Sequence, residues 1–167
     1  MDPAQQEILF QQILSDHKER LYRLCRSMIY RQELIDDLFQ EVLLNVWQYL
    51  PRFRAESAVY TWLYRIAVNT AISFNKKEGR HQDHHRQIEL AANARQEVKM
   101  NDEMRALYQA IQLLKEEDRT LVGFYLEGFA YKEIAEILQL SISNVGVRIN
   151  RIKQRLTQLL NPQKQPS

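Results

Sequence analysis

Apolar residues return at intervals of three and four along almost the whole chain, a period that restricts the fold to helices packed on helices. Leu9, Ile13, Leu14, Leu21, Leu24, Cys25 and Met28 make a first stripe. Leu34, Ile35, Leu38, Phe39, Val42, Val46 and Leu50 make a second, halted at Pro51, whose ring cannot continue a helix. A third helix is expected from about Ser57 to Asn75, with Ser57 as candidate N-cap. Four Gly and four Pro in 167 residues are few for an all-β chain with many tight turns.

The stretch FRAESAVYTWLYRIAVNT (53–70) carries a conflicting cue, because Tyr60, Trp62 and Tyr64 alternate as in a strand. At about 100° per residue, however, Val59, Leu63, Ile66, Ala67, Thr70 and Phe74 share one face, which is expected to be buried. Tyr60 and Tyr64 then lie on its flank as boundary packing. Trp62, Arg65, Asn69 and Lys76 fall near the opposite face, so the three rings serve different sides of one helix.

The period fails in KKEGRHQDHHRQIELAANARQEVKMND, which has almost no large apolar residue between Asn75 and Gln87. Lys76 to about Met100 reads as a linker, with nascent helix in its later part. Its His81, His84 and His85 have no Cys nearby and no framework to hold them, so no metal site is expected. Met104, Leu107, Ile111 and Leu114 restart the stripe, followed by helices near Glu117–Leu126, Tyr131–Leu138 and Ile142–Leu160. The expected fold is all-α: two small helical domains (1–77 and 101–162) joined by a flexible linker (78–100), the C-terminal one a helix-turn-helix.

Net charge is only +2, yet its distribution is uneven. No Asp or Glu occurs from Ser141 onward, where Arg148, Arg151, Lys153, Arg155 and Lys164 are basic, and basic residues again outnumber acidic ones from Arg52 to Arg80. Two basic regions suggest two contacts with a polyanion. Acid gathers at Glu33, Asp36, Asp37 and Glu41, and at Glu116, Glu117 and Asp118. Cys25 is the single cysteine, so no internal disulfide can form; core packing and a reducing compartment are expected. The N-terminus lacks the basic start of a signal peptide, and no apolar run approaches the roughly 20 residues of a membrane span, so a cytoplasmic location is expected. No nucleophile–base pairing, phosphate-binding Gly loop or metal-ligand spacing is present, which speaks against an enzyme and against a cofactor.

YKEIAEILQLSISNVGVRINRIKQRL (131–156) has the spacing of a helix-turn-helix. Ile134, Ala135 and Leu138 face inward on the first helix, Gln139 and Leu140 form the turn, and Ser141 caps the second helix. Val145, Ile149, Ile152, Leu156 and Leu160 share the inward face of that second helix. Ser143, Val147, Asn150 and Gln154 lie opposite, flanked by Asn144 and Arg151. A polar face free of acid suits the major groove, although a solvated face in a bundle would share the amphipathic pattern.

Together, DDLFQEVLLNVWQYLPRFRAESAVYTWLYRIAVNT (36–70), a polar linker and EGFAYKEIAEILQLSISNVGVRINRIKQRL (127–156) closely resemble an extracytoplasmic-function sigma factor, the smallest kind of RNA polymerase sigma factor. The resemblance covers nearly the whole chain. It implies that the helix bearing Asp36, Asp37, Gln40, Glu41, Leu44 and Trp47 docks on core polymerase. Leu38, Val42 and Val46 of that helix are core residues, Trp47 is open between core and interface, and Asp36 and Asp37 could simply favour a helix N-terminus. It further implies that Phe53, Arg54, Ser57, Trp62, Arg65, Asn69 and Lys76 open and read the minus-ten element as single strand. Ser143, Asn144, Val147, Arg148, Asn150, Arg151 and Arg155 would read the minus-thirty-five element as duplex. Implied partners are the bacterial polymerase core, promoter DNA and an anti-sigma factor, often membrane-bound, with no small-molecule substrate. Three positions depart from the family pattern: Ala130 removes a helix N-cap, Gln139 replaces a turn Gly, and Gly146 interrupts the recognition helix. Two other readings are a one-component helix-turn-helix regulator with an N-terminal sensing or dimerisation domain, and a helical interaction module.

Overall fold

The computed structural model describes residues 1–78 and 101–162. The expected linker, with His81, His84 and His85, lies outside the described residues apart from its first positions. The helices, in chain order, are α1 (Pro3–Met28), α2 (Ile35–Tyr49), α3 (Val59–Glu78), α4 (Asp102–Gln112), α5 (Glu116–Leu126), α6 (Tyr131–Leu138) and α7 (Ile142–Leu160), with 3-10 turns at Gln32–Leu34 and Leu50–Arg52. The described residues contain no strand. None of their helices is long and apolar enough to cross a membrane.

Local chemistry explains most helix ends. Pro3 stands at the start of α1, where a missing N–H costs nothing. At the other end, the Asn75 Oδ1 accepts the Tyr30 N–H at 3.0 Å and its Nδ2 donates to the Met28 carbonyl at 2.9 Å. One buried amide of α3 thus satisfies the C-terminus of α1. Asp36 and Asp37 fall in the first turn of α2, against the positive end of its dipole. The first bond of α3 runs from the Trp62 N–H to the Ala58 carbonyl, which puts Ala58 rather than Ser57 at the cap. The helix also runs past Asn75 to Glu78. Asn101 caps α4 by accepting the Met104 N–H at 2.8 Å.

The helices pack as two groups, α1–α3 and α4–α7, but their buried residues form one cluster. The first group closes over Leu24, Met28, Leu38, Val42, Val46 and Leu63; the second closes over Ile111, Leu121, Ile134, Val145, Ile149 and Ile152. Between them runs a seam in which α1 meets α5 and α3 meets α6. Gly123 of α5 makes this close crossing possible: a Cβ there would lie 2.9 Å from the Ser27 Cβ of α1. Tyr64 of α3 packs edge-on against Phe124 and Phe129, with centroids 5.9 and 5.0 Å away. Tyr64 is 0% exposed, and burial pushes its hydroxyl up to about 12. Boundary packing, expected of Tyr60 and Tyr64, holds for half-buried Tyr60. Tyr64 differs because the second group covers its flank of the helix, a contact invisible in a helical wheel. Cys25 is buried as expected, and desolvation raises its thiol to about 12.

Candidate nucleic-acid interface

On α2, Asp36, Asp37, Gln40 and Leu44 are exposed, Leu44 at 59%, an unusual setting for a large aliphatic side chain on a helix whose inner face is already packed. Asp36 accepts the Tyr22 hydroxyl at 3.0 Å, and burial together with this bond raises the tyrosine pKa. Glu41 turns toward α3, 3.8 Å from the Lys77 ammonium. Trp47 is half-buried and packs edge-on against Phe10 at 5.2 Å, while its carbonyl accepts from Gln6 at 2.8 Å. The indole therefore pins the start of α1 to α2, leaving only part of its ring outward.

The loop into α3 builds the second surface. Ala55 sits at φ 55°, in the left-handed region that disfavours a Cβ by roughly 1–2 kcal/mol. Beside this kink the Phe53 and Trp62 rings lie 5.1 Å apart. A cleft of about 370 Å³ opens there, lined by Arg52, Phe53, Arg54, Glu56, Ser57, Trp62 and Arg65. Trp62 and Arg52 also border a second cleft, of about 410 Å³, floored by α2 and α3 with Asn45, Asn69 and Ser73. Its floor is fixed by the bond from Asn45 to the Thr70 hydroxyl at 2.9 Å. Asn69 and Lys76 are exposed as expected.

Arg65 differs from the expectation of an open stripe. It is half-buried, and its guanidinium donates to the Glu136 carbonyl at 2.6 Å. That carbonyl belongs to the last turn of α6, where helix C=O groups lack intrahelical partners and carry partial negative charge. The Arg65 Nε–H is buried with no partner among the described residues.

The helix-turn-helix has the expected geometry. Gln139 takes the left-handed conformation, φ 57° and ψ 44°, that a turn glycine would adopt without strain. Ser141 caps α7 by accepting the Asn144 N–H at 3.0 Å. At Ala130, the lost cap is offset in part by Glu133, whose carboxylate accepts the Ala130 N–H at 2.7 Å. A Cβ on Gly146 would meet only the Tyr131 ring, at 3.6 Å. Ser143, Asn144, Val147, Asn150, Arg151 and Arg155 are exposed. Arg148 differs: its side chain is 18% exposed and donates to Asp118 at 3.0 Å, with Glu117 at 3.5 Å. The acid cluster of α5 draws it away from the exposed face of α7. Leu160, expected on the inward stripe, is exposed where the last turn runs past the core.

Sequence reasoning missed the residues that join the two groups. Arg23 makes a bidentate pair with Glu127 at 2.9 and 3.0 Å, and Arg20 donates to the Glu127 carbonyl at 3.1 Å. Asn75 donates to Glu116 at 2.8 Å. Arg119 is 0% exposed, beneath the Tyr30 ring and bonded to the Leu114 carbonyl at 3.2 Å. A Gly within a helix and an Asn on an otherwise apolar stripe were the available signals. The ion pairs had none.

An acidic and apolar helix face, two clefts around a tryptophan and a helix-turn-helix thus stand on one all-helical framework among the described residues. The family description Sigma-70 region 2 matches residues 13–81, and Sigma-70, region 4 matches residues 104–156. The ECF RNA polymerase sigma-E factor of Escherichia coli (strain K12) is 30% identical over 77% of this chain and 74% of its own length. The protein of the same name from Haemophilus influenzae is 29% identical over 92% of this chain and 88% of its own. Among solved structures, the sigma factor RpoE of Bartonella quintana, crystallised with the anti-sigma factor NepR, superposes with a TM-score of 0.71 at 22% identity, covering 93% of this chain and 98% of that one. The chain belongs to the extracytoplasmic-function sigma factors, the RNA polymerase subunits that direct the core enzyme to specific promoters.

Proposed function

We propose that the three surfaces divide the work of initiation. Asp36, Asp37, Gln40 and Leu44 meet the polymerase, with carboxylates pairing to basic groups and Leu44 burying its exposed surface. Phe53, Arg54, Ser57, Trp62, Asn69 and Lys76 take the minus-ten strand. Extruding a base costs a few kcal/mol, and an aromatic partner returns about 1–3 kcal/mol per stacked base, so melting without ATP needs pockets such as the two beside Trp62. Ser143, Asn144, Val147, Asn150, Arg151 and Arg155 take the minus-thirty-five duplex, and Arg148 braces α7 from behind. The nucleotidyl chemistry belongs to the polymerase; the chain itself needs no catalytic group or cofactor and works in the cytoplasm, where the polymerase is.

The Glu136 carbonyl engages one nitrogen of the Arg65 guanidinium, so the whole group becomes available to a phosphate when α6 moves away from α3. We therefore assign the packed arrangement to a resting form and the separated one to the promoter complex. An anti-sigma factor, of the kind crystallised with the Bartonella protein, is a partner that would favour the resting form. The matches to both sigma-70 regions, one on each helical group, carry the sigma reading over a one-component regulator. Reconstitution with core polymerase on a promoter library tests it: co-purification with core and redirected initiation are expected, and absence of both would leave the regulator.

A further inference from the structure

We propose that Val147 reads the 5-methyl group of a thymine in the minus-thirty-five duplex. The inference rests on the reading of α7 as a recognition helix. Val147 lies in the second turn of α7 and is 57% exposed. At helical spacing it points away from buried Val145, Ile149, Ile152 and Leu156. Its neighbours three and four positions away are Ser143, Asn144, Asn150 and Arg151, all exposed and all able to hydrogen-bond. One branched hydrocarbon side chain therefore stands inside a ring of polar ones.

The fold gives no reason for this placement. A β-branched side chain lowers helix propensity relative to Ala, and an exposed one has no burial to offset that. Arg148 does not cover it, because its guanidinium is held by Asp118 of α5. The occupant of the face is set by charge, since no acid occurs from Ser141 onward and Arg151 and Arg155 flank the exposed surface. Within a major groove, the base edges present donors, acceptors and a single kind of apolar group, the thymine methyl. Val147 can gain from that group and from no other base feature. Against a polar edge it would cover a donor or acceptor without replacing its water.

The test uses holoenzyme assembled from core polymerase and the full chain. Duplexes that bind are selected from a library randomised across the minus-thirty-five region, and each thymine in the selected sequence is replaced in turn by deoxyuridine. At one thymine, removal of the methyl is expected to weaken wild-type binding about fourfold, the worth of one buried methyl. The Val147→Ala holoenzyme should bind the thymine and uracil forms alike, and Val147→Thr, which keeps one branch methyl, should retain part of the discrimination. If every uracil substitution affects wild type and Val147→Ala equally, the assignment to Val147 is overturned and the minus-thirty-five reading stands. If selection recovers no sequence preference in this region, both are overturned.

Discussion

α3 and α7 each turn a polar stripe away from a core, yet only α7 leaves its stripe open. On α7 the residues at the centre of the outward face are exposed, and the diverted cation Arg148 is held by acids of its own helical group. On α3 the stripe is divided. Asn69 and Lys76 are exposed, while Arg65 is bound by a carbonyl of the other group. Arginines of α1 and α3 meet the C-terminal ends of α5 and α6: Arg20 and Arg23 at Glu127, and Arg65 at Glu136. Those helix ends offer partial negative charge, as a phosphate offers a full one. The two surfaces proposed to face DNA are therefore not equally available: the outward face of α7 is open as it stands, and that of α3 is partly engaged in holding the molecule closed.

Substitutions can abolish this contrast or widen it. Asn75→Ala should have the largest effect, because it strips three bonds of one buried amide at once, for a loss of about 3 kcal/mol in denaturant unfolding. Gly123→Leu drives a side chain into Ser27 and should cost the seam about 1–3 kcal/mol. Small-angle scattering should then report a larger radius of gyration with helix content unchanged; a compact variant would count against Gly123 as the contact that permits closure.

Asn69→Ala separates reading from closure. It touches an exposed group, so thermal stability should hold while promoter opening, followed by permanganate footprinting, falls about tenfold, equivalent to ~1.4 kcal/mol. Equal loss of stability would make Asn69 structural. On α7 the matching contrast is Arg151 against Arg148. Arg151→Ala should lower the slope of log affinity against log salt for a minus-thirty-five duplex by about one. Arg148→Ala should leave that slope unchanged and lower the melting temperature instead, since its bonds are internal.

The smallest effect concerns pH. Burial lowers the His17 pKa, with Asp16 opposing and Arg20 adding to the shift, and the ring lies 3.1 Å from the Tyr64 hydroxyl. The native state then binds fewer protons than the unfolded chain, so stability is fully present above the unfolded pKa of about 6.5 and declines as pH falls through it. A small drop in melting temperature below pH 6.5 is expected, and His17→Gln should remove it.

The period of apolar residues made the helices and the turn of the helix-turn-helix legible, because each depends on neighbours a few positions away. α6 and α7 end where Leu138 and Leu160 predict. Ser57 failed as a cap because one loop geometry, with Ala55 in a left-handed conformation, sets where α3 begins. Tyr64, Arg65, Gly123 and Glu127 were opaque for a different reason. Their roles come from contacts between segments some 60 to more than 100 positions apart, such as Arg65 with Glu136 and Arg23 with Glu127, and no local pattern encodes such a pairing. Val147 was legible as outward-facing, but its isolation among polar neighbours became informative only once Arg148 was seen to turn away.

Two affinities of the free chain decide whether the surfaces are unequally available: one for a minus-ten single strand and one for a minus-thirty-five duplex, each in wild type and Gly123→Leu. If closure holds Arg65 back, opening the seam raises affinity for the single strand several-fold and leaves duplex affinity within about a factor of two. A variant with separated helical groups whose single-strand affinity is unchanged, or whose two affinities rise together, would show that closure does not restrain the strand reader.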